Sequence, residues 1–210
     1  MADWVTISSL ATAGGTLVLA AATFSAVRSS NRSARIAEQA LQEQRRPVLV
    51  HARLDDPLQK VMFADGHWIR TEGSGVVVEE QEGTLYLGIG LRNVGAGIAV
   101  LQGWYLWPEL MHAERRHPPA EDFRRQLRDI YIAPGDLGMW QGALRDEDGD
   151  VRRAIAAVRA ERRPFTLDLL YSDQVGGQRT ISRFGVSPAG EDQWLGSAGR
   201  HWNLDQAGPR

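Results

Sequence analysis

Residues 84–107 read TLYLGIGLRNVGAGIAVLQGWYLW. In the first half Leu85, Leu87, Ile89 and Leu91 alternate with Tyr86, Gly88, Gly90 and Arg92, the period-2 pattern of a half-buried strand. The second half, Ile98 to Trp107, is apolar at both parities, which places it centrally in a sheet with both faces covered. Between them, Asn93-Val94-Gly95-Ala96-Gly97 contains two glycines free to take positive φ, so the stretch is expected to be a β-hairpin. Pro108 ends it, because proline has no N–H to give to a ladder.

The same punctuation extends in both directions. Upstream, Val48, Val50, Ala52 and Leu54 alternate with Leu49, His51, Arg53 and Asp55, another half-buried strand. Leu58 to Arg70 is expected to be a hairpin about Asp65-Gly66, and Gly75 to Glu79 a short strand. Downstream, Glu109 to Arg128 is a long charged connection carrying Pro118-Pro119, with a helical turn at Glu121 to Leu127. Ile130 to Ile132 resumes a strand, Pro134-Gly135 turns, and Leu137 to Leu144 makes another. Asp150 is expected to cap a helix that puts Val151, Ala154, Ile155 and Val158 on one face. Pro164 stops that helix. Phe165 to Ser172 alternates and is paired with Arg179 to Val186 through the turn Asp173 to Gly177. The tail reads as turns around Trp194 and Trp202. Roughly seven to nine short strands and one inserted helix point to a mainly β fold, an antiparallel immunoglobulin-like β-sandwich, with a small barrel second. Strands do not alternate with helices, which argues against parallel α/β.

The first 46 residues differ in kind. Trp4 to Val27 carries no charge and no proline, about 24 residues, long enough to cross a bilayer as a helix. Its start, Met1-Ala2-Asp3, is acidic where a signal peptide is basic. Arg28, Arg32 and Arg35 flank its C-terminal side, so the positive-inside rule puts the rest of the chain in the cytoplasm. Ala11-xxx-Gly15 and Ala22-xxx-Ala26 are small-xxx-small spacings that permit self-association through the span. Ser29 to Arg46 is rich in helix formers up to Pro47. The expected organisation is a transmembrane helix at about 4–27 with a helical connector over 1–46. A β-sandwich domain follows over 47–210, its inserted helix near 150–162. A continuous helix from Trp4 to Arg46 would be about 65 Å long, a stalk.

The 210 residues carry 24 basic and 26 acidic side chains and no cysteine. The balance offers no electrostatic footprint for nucleic acid, and the missing thiols exclude disulfides and thiolate metal sites. His112 and His117 around Glu114 have poor spacing for a metal pair. Asp146-Glu147-Asp148-Gly149-Asp150 departs from the calcium-loop order and reads as a solvated acidic turn. No phosphate loop or nucleophile elbow is present, and nothing places the Ser, His and Asp residues together. Asp168 and Asp173 could face a cleft. Arg124-Arg125-Arg128 is a basic cluster interleaved with acids. No catalytic, cofactor-binding or metal residue is assigned and no cofactor is implied. The candidate partner surface is aromatic: Trp107, Trp140 and Trp202. Of the other tryptophans, Trp104 competes with Trp107 for a place in the core.

Arg46-Pro47-Val48-Leu49, Leu91-Arg92-Asn93-Val94-Gly95-Ala96-Gly97, Ile132-Ala133-Pro134-Gly135 and Tyr171-Ser172-Asp173 together resemble a diffuse set of uncharacterised bacterial single-span membrane proteins. The ending Arg200-His201-Trp202-Asn203-Leu204-Asp205 is similar to actinobacterial members. The resemblance implies an anchor and an immunoglobulin-like β-sandwich, and no activity. The expected function is therefore a membrane-anchored cytoplasmic protein-interaction module. The alternatives are a small-ligand sensor or enzyme with a cleft beside the sandwich, and an accessory subunit of a membrane complex. The expected partners are the membrane and another protein.

Overall fold

The computed structural model describes residues 4–112 and 116–205, with side chains from residue 12 on, Glu43 excepted. The chain divides into two compact units, Met1–Gln44 and Arg45–Arg210.

The first unit is one helix, α1 (Trp4–Gln44). Helix formers run without a proline until Pro47. The hydroxyls of Thr16, Thr23 and Ser25 donate to the carbonyls of Thr12, Leu19 and Ala22, about one turn back. Among the described residues no helix is long and apolar enough to cross a membrane. The side chains of Trp4 to Ala11 lie outside that description. The remainder leaves only about 16 uncharged residues before Arg28, fewer than the roughly 20 that a bilayer core asks for.

The second unit is mainly β and antiparallel. Its strands are β1 (Leu49–His51), β2 (Gln59–Met62), β3 (Trp68–Thr71), β4 (Gly75–Gln81), β5 (Thr84–Asn93) and β6 (Ala99–Trp107). They continue with β7 (Arg124–Arg125), β8 (Tyr131–Ile132), β9 (Leu137–Leu144), β10 (Phe165–Ser172), β11 (Thr180–Ala189) and β12 (Gln193–Asn203). All but β2 and β3 belong to one 10-stranded sheet that bends over on itself, in the order β1-β5-β4-β12-β11-β10-β6-β7. β9 adds to the other edge of β5, and β8 pairs β6. The halves meet across a shared core in which Leu85, Leu87, Ile89 and Leu91 face Leu101, Leu167, Leu169 and Phe184. Trp104 and Trp140 join them edge to face, ring centroids 5.4 Å apart.

The expected hairpin between 84 and 107 does not form. β5 is bonded to β1, β4 and β9, and β6 to β10, β7 and β8. Residues 94–98 instead cross from one half of the sheet to the other. Both edges of β5 are already occupied, so β6 must find its partners elsewhere. The glycines of the crossing serve close approach rather than positive φ. A Cβ at Gly95 would overlap the carbonyl oxygen of Arg46, and one at Gly97 that of Arg45.

On the outer face, the β2–β3 hairpin covers Tyr86 and Met139 with Phe63 and Ile69. Gly88 has no side chain because Ile69 and Met139 fill its place. The inserted helix, α2 (Gly149–Ala160), buries Ile155 and Val158 and leaves Val151 exposed. Its N-cap residue is Asp148, not Asp150; the Asp148 carboxylate accepts from Arg145 N at 2.6 Å. Glu121 to Leu127 holds one 3-10 turn, Ala120–Asp122, and then β7. The tail expected to be turns is the 11-residue strand β12. Its Gly196 sits where Ile89 and Val76 press in, a packing role that looks like a turn signal in sequence.

Candidate functional site

The bent sheet does not close. β9 lies at one end of it and β7 near the other, and among the described residues no strand pairs them. The gap is a cleft of about 410 Å³. One wall is Arg124 to Arg128, the other Gln141 to Ala143 with Arg145, and the floor is Trp104 with Met62 and Phe63 of the outer hairpin. β7 can approach β6 closely because residue 103 is glycine; a Cβ there would lie 2.9 Å from Arg124 O. After β7, Gln126 N bonds Gln102 O at 2.9 Å, and its side-chain Nε2 reaches Gln141 O at 3.3 Å. A side chain thus stands where a ladder would close the sheet.

Two of the four arginines at the cleft are neutralised. Arg124 pairs with Asp148 and stacks on Trp104, 5.1 Å from the ring centroid. Arg145 pairs with Asp65 at 2.9 Å. Burial alone would raise the Asp65 carboxyl, but hydrogen bonds from His67 N, the Tyr86 hydroxyl and Arg145 outweigh it and hold it below its ordinary range. Arg125 and Arg128 are exposed, and among the described residues neither meets a carboxylate. Arg128 donates to Met62 O at 3.3 Å. Leu127 between them is 91% exposed. Gln141 is buried, yet among the described residues its Oε1 has no hydrogen-bond partner, and neither has Gln126 Oε1. Buried acceptors of this kind are uncommon in folded proteins.

The three tryptophans expected at a surface separate. Trp140 is core, 1% exposed, because β9 turns its even-numbered side chains inward. Trp107 and Trp202 are half-buried and come together around Arg183, whose guanidinium lies 5.9 and 4.8 Å from their rings. Trp104 is buried beneath the cleft. Asp168 faces no cleft. It is fully buried and takes two bonds from Arg183, at 2.8 and 2.7 Å, and one from Trp107 Nε1 at 2.9 Å. Asp173 is buried too and accepts from Gly177 N in its turn. Arg28, Arg32 and Arg35 are exposed on α1.

Ser182 and His201 are 2.6 Å apart, a nucleophile–base spacing that sequence did not suggest. Ser182 is wholly buried and its hydroxyl also meets Tyr171 Oη at 2.8 Å, so no substrate carbonyl can reach it. His117 stacks edge-on against Trp202 at 5.5 Å and contacts Pro118 O; Glu114 lies outside the described residues. Three acids of the run at the start of α2 meet arginines: Asp146 meets Arg152, Asp148 meets Arg124 and Asp150 meets Arg153. Among the described residues no group of three His, Asp or Glu side chains could hold a metal.

The cleft itself had a partial signal in sequence, the cluster Arg124-Arg125-Arg128. Gln126 and Gln141 had none, because neither a glutamine nor its lack of a partner stands out in a linear chain. The chain matches no protein-family model, no curated protein and no solved structure.

Proposed function

We propose that this protein is a protein-interaction module held at a membrane by α1, with residues 45–210 on the cytoplasmic side and the cleft between β7 and β9 as its binding site. The observation that carries the reading is the open seam. It offers an unpaired strand edge, uncompensated guanidinium groups and an apolar floor within one concavity, the mixture that protein recognition uses. The competing catalytic reading would rest on Ser182 and His201, and Ser182 is buried. The membrane part is supported by the uncharged stretch Trp4 to Val27, the hydroxyls along it that bond back into the helix, and the exposed Arg28, Arg32 and Arg35 that follow. The resemblance to single-span bacterial proteins points the same way. An immunoglobulin-like kinship of the sandwich belongs to the same proposal, supported by two inward-facing halves around a buried tryptophan pair.

A photo-crosslinking residue at Leu127 of the full chain, expressed in cells, tests the site. The expected result is one protein adduct of constant mass that disappears in the Arg125→Glu/Arg128→Glu variant. No adduct, or one indifferent to the reversal, would remove the cleft from consideration. Fractionation tests the anchor: removal of residues 1–46 should release the domain from membranes, and external protease on sealed cells should leave it intact.

A further inference from the structure

We infer that the open edge of β9 receives an extended acidic segment of a partner protein as an added strand, its carboxylates meeting Arg125 and Arg128. This rests on the reading of the cleft as a protein-binding site and gives that site a ligand class.

The backbone geometry comes first. Asn93 N bonds Asp136 O, and the β5–β9 register pairs Leu91 with Gly138 and Ile89 with Trp140. In an antiparallel ladder the N–H and C=O of one residue point to the same neighbour, alternating along the strand. The even-numbered residues of β9 therefore bond β5, and Gln141 and Ala143 turn their peptide groups towards the cleft. The Gln126 contact to Gln141 O agrees with that phase. Among the described residues no strand pairs with this edge and no backbone group bonds Gln141 or Ala143 on it; past the end of β9 the peptide groups of Arg145 are taken by Asp148. From Gln141 to Leu144, where β9 ends, it runs on the order of 10 Å, enough for about three or four residues of an extended peptide.

The side chains select what is added. Proteins blunt free edges with charge, and here the charge is of one sign. Among the described residues Arg125 and Arg128 lack carboxylate partners, while Arg124 and Arg145 have theirs in Asp148 and Asp65. A second copy of this chain docked seam to seam would bring the same arginines together and be repelled; a segment bearing Asp or Glu at alternate positions would not. Trp104, Phe63 and Met62 provide an apolar floor for the residues between the acids.

The test pans a phage-displayed library of random decapeptides against the full chain in mild detergent. Enriched peptides should be acidic. The best of them, made synthetically, should bind the Arg125→Glu/Arg128→Glu variant at least tenfold more weakly and the Arg116→Glu variant unchanged, since Arg116 does not line the cleft. N-methylation of alternate backbone nitrogens should also weaken it at least tenfold in one of the two phases. Enrichment without acidic bias, indifference to the charge reversal, indifference to N-methylation in both phases, or no enrichment would each overturn strand addition. If the Leu127 adduct forms in cells despite such a result, the cleft binds a protein in another manner; if the adduct joins two copies of this chain, the inferred partner is wrong.

Discussion

The Asn93 side-chain amide donates to Ile132 O at 2.9 Å, tying the end of β5 to a strand 39 residues later. The same amide donates to Gly97 O at 2.6 Å, and its oxygen accepts from Gly95 N and from Val48 N, at 3.0 and 3.2 Å. One buried carboxamide therefore fixes the crossing between the two halves and the strand on which the domain begins. Asn93→Asp keeps the shape but turns a carboxylate towards two carbonyl oxygens in a site with no solvent. We expect Asn93→Asp and Asn93→Ala each to cost about 3 kcal/mol, the sum of lost bonds and stranded carbonyls. Urea unfolding checks it; a midpoint within experimental error of wild type would show that the crossing is held by something else.

The glycines of that crossing predict a contrast. Gly97→Ala forces a Cβ into the backbone of Arg45, which cannot move aside as a flexible side chain would. The expected cost is at least about 3 kcal/mol. Gly135→Ala meets no atom and pays only for its φ of +80°, about 1 kcal/mol. Equal midpoints in denaturant for the two variants would contradict this account of why each position is glycine.

These residues also show where sequence reading stops. Leu85, Leu87, Ile89 and Leu91 announce β5 because a strand's alternation is local. Pairing is not local. Nothing within residues 84–107 says that the partners of β5 are β4, β1 and β9, so two adjacent strands with glycines between them read as a hairpin. β12 was hidden for a related reason: Gly196 and Gly199 are small because Ile89 and Arg183 press against them, and packing glycines resemble turn glycines in a chain. The cleft was half legible. Its arginines stand together in sequence, but the wall opposite them arrives from β9, and the gap exists only because the bent sheet fails to close.

Acid stability should carry the mark of Asp56. Arg92's hydrogen bond, against the opposing effect of burial and with help from Arg53 N, holds this carboxyl below its ordinary value of 3.8. A carboxyl depressed in the folded state stabilises the fold above its unfolded pKa, and the contribution fades as pH falls through the folded one. Stability measured from pH 6 to pH 2 should thus show wild type and Asp56→Asn furthest apart above about pH 4 and converging below. A gap that does not change with pH would mean that the variant perturbs packing and not charge. Asp205, depressed by its bonds from Arg179, should act with the same sign and less strongly, because that pair is partly exposed to solvent.

The buried pair Asp168–Arg183 makes the sharpest case for separating a bond from its context. Both side chains are out of solvent, at 0% and 2% exposure, so neither can be left alone cheaply. Asp168→Asn removes the carboxylate that takes two bonds from the Arg183 guanidinium, and the expected loss is about 3 to 5 kcal/mol. Arg183→Met should lose a similar amount by stranding the carboxylate. The double variant Asp168→Leu/Arg183→Met removes both charges and refills the space, so it should be more stable than either single change. Recovery will be incomplete, since Trp107 Nε1 then lacks its acceptor, at about 1 to 2 kcal/mol. Unfolding followed by tryptophan fluorescence reads all three variants, because two indoles border the pair. If the double variant shows the sum of the single losses, the pair acts through specific bonds that apolar packing cannot replace, and the charge-burial explanation fails.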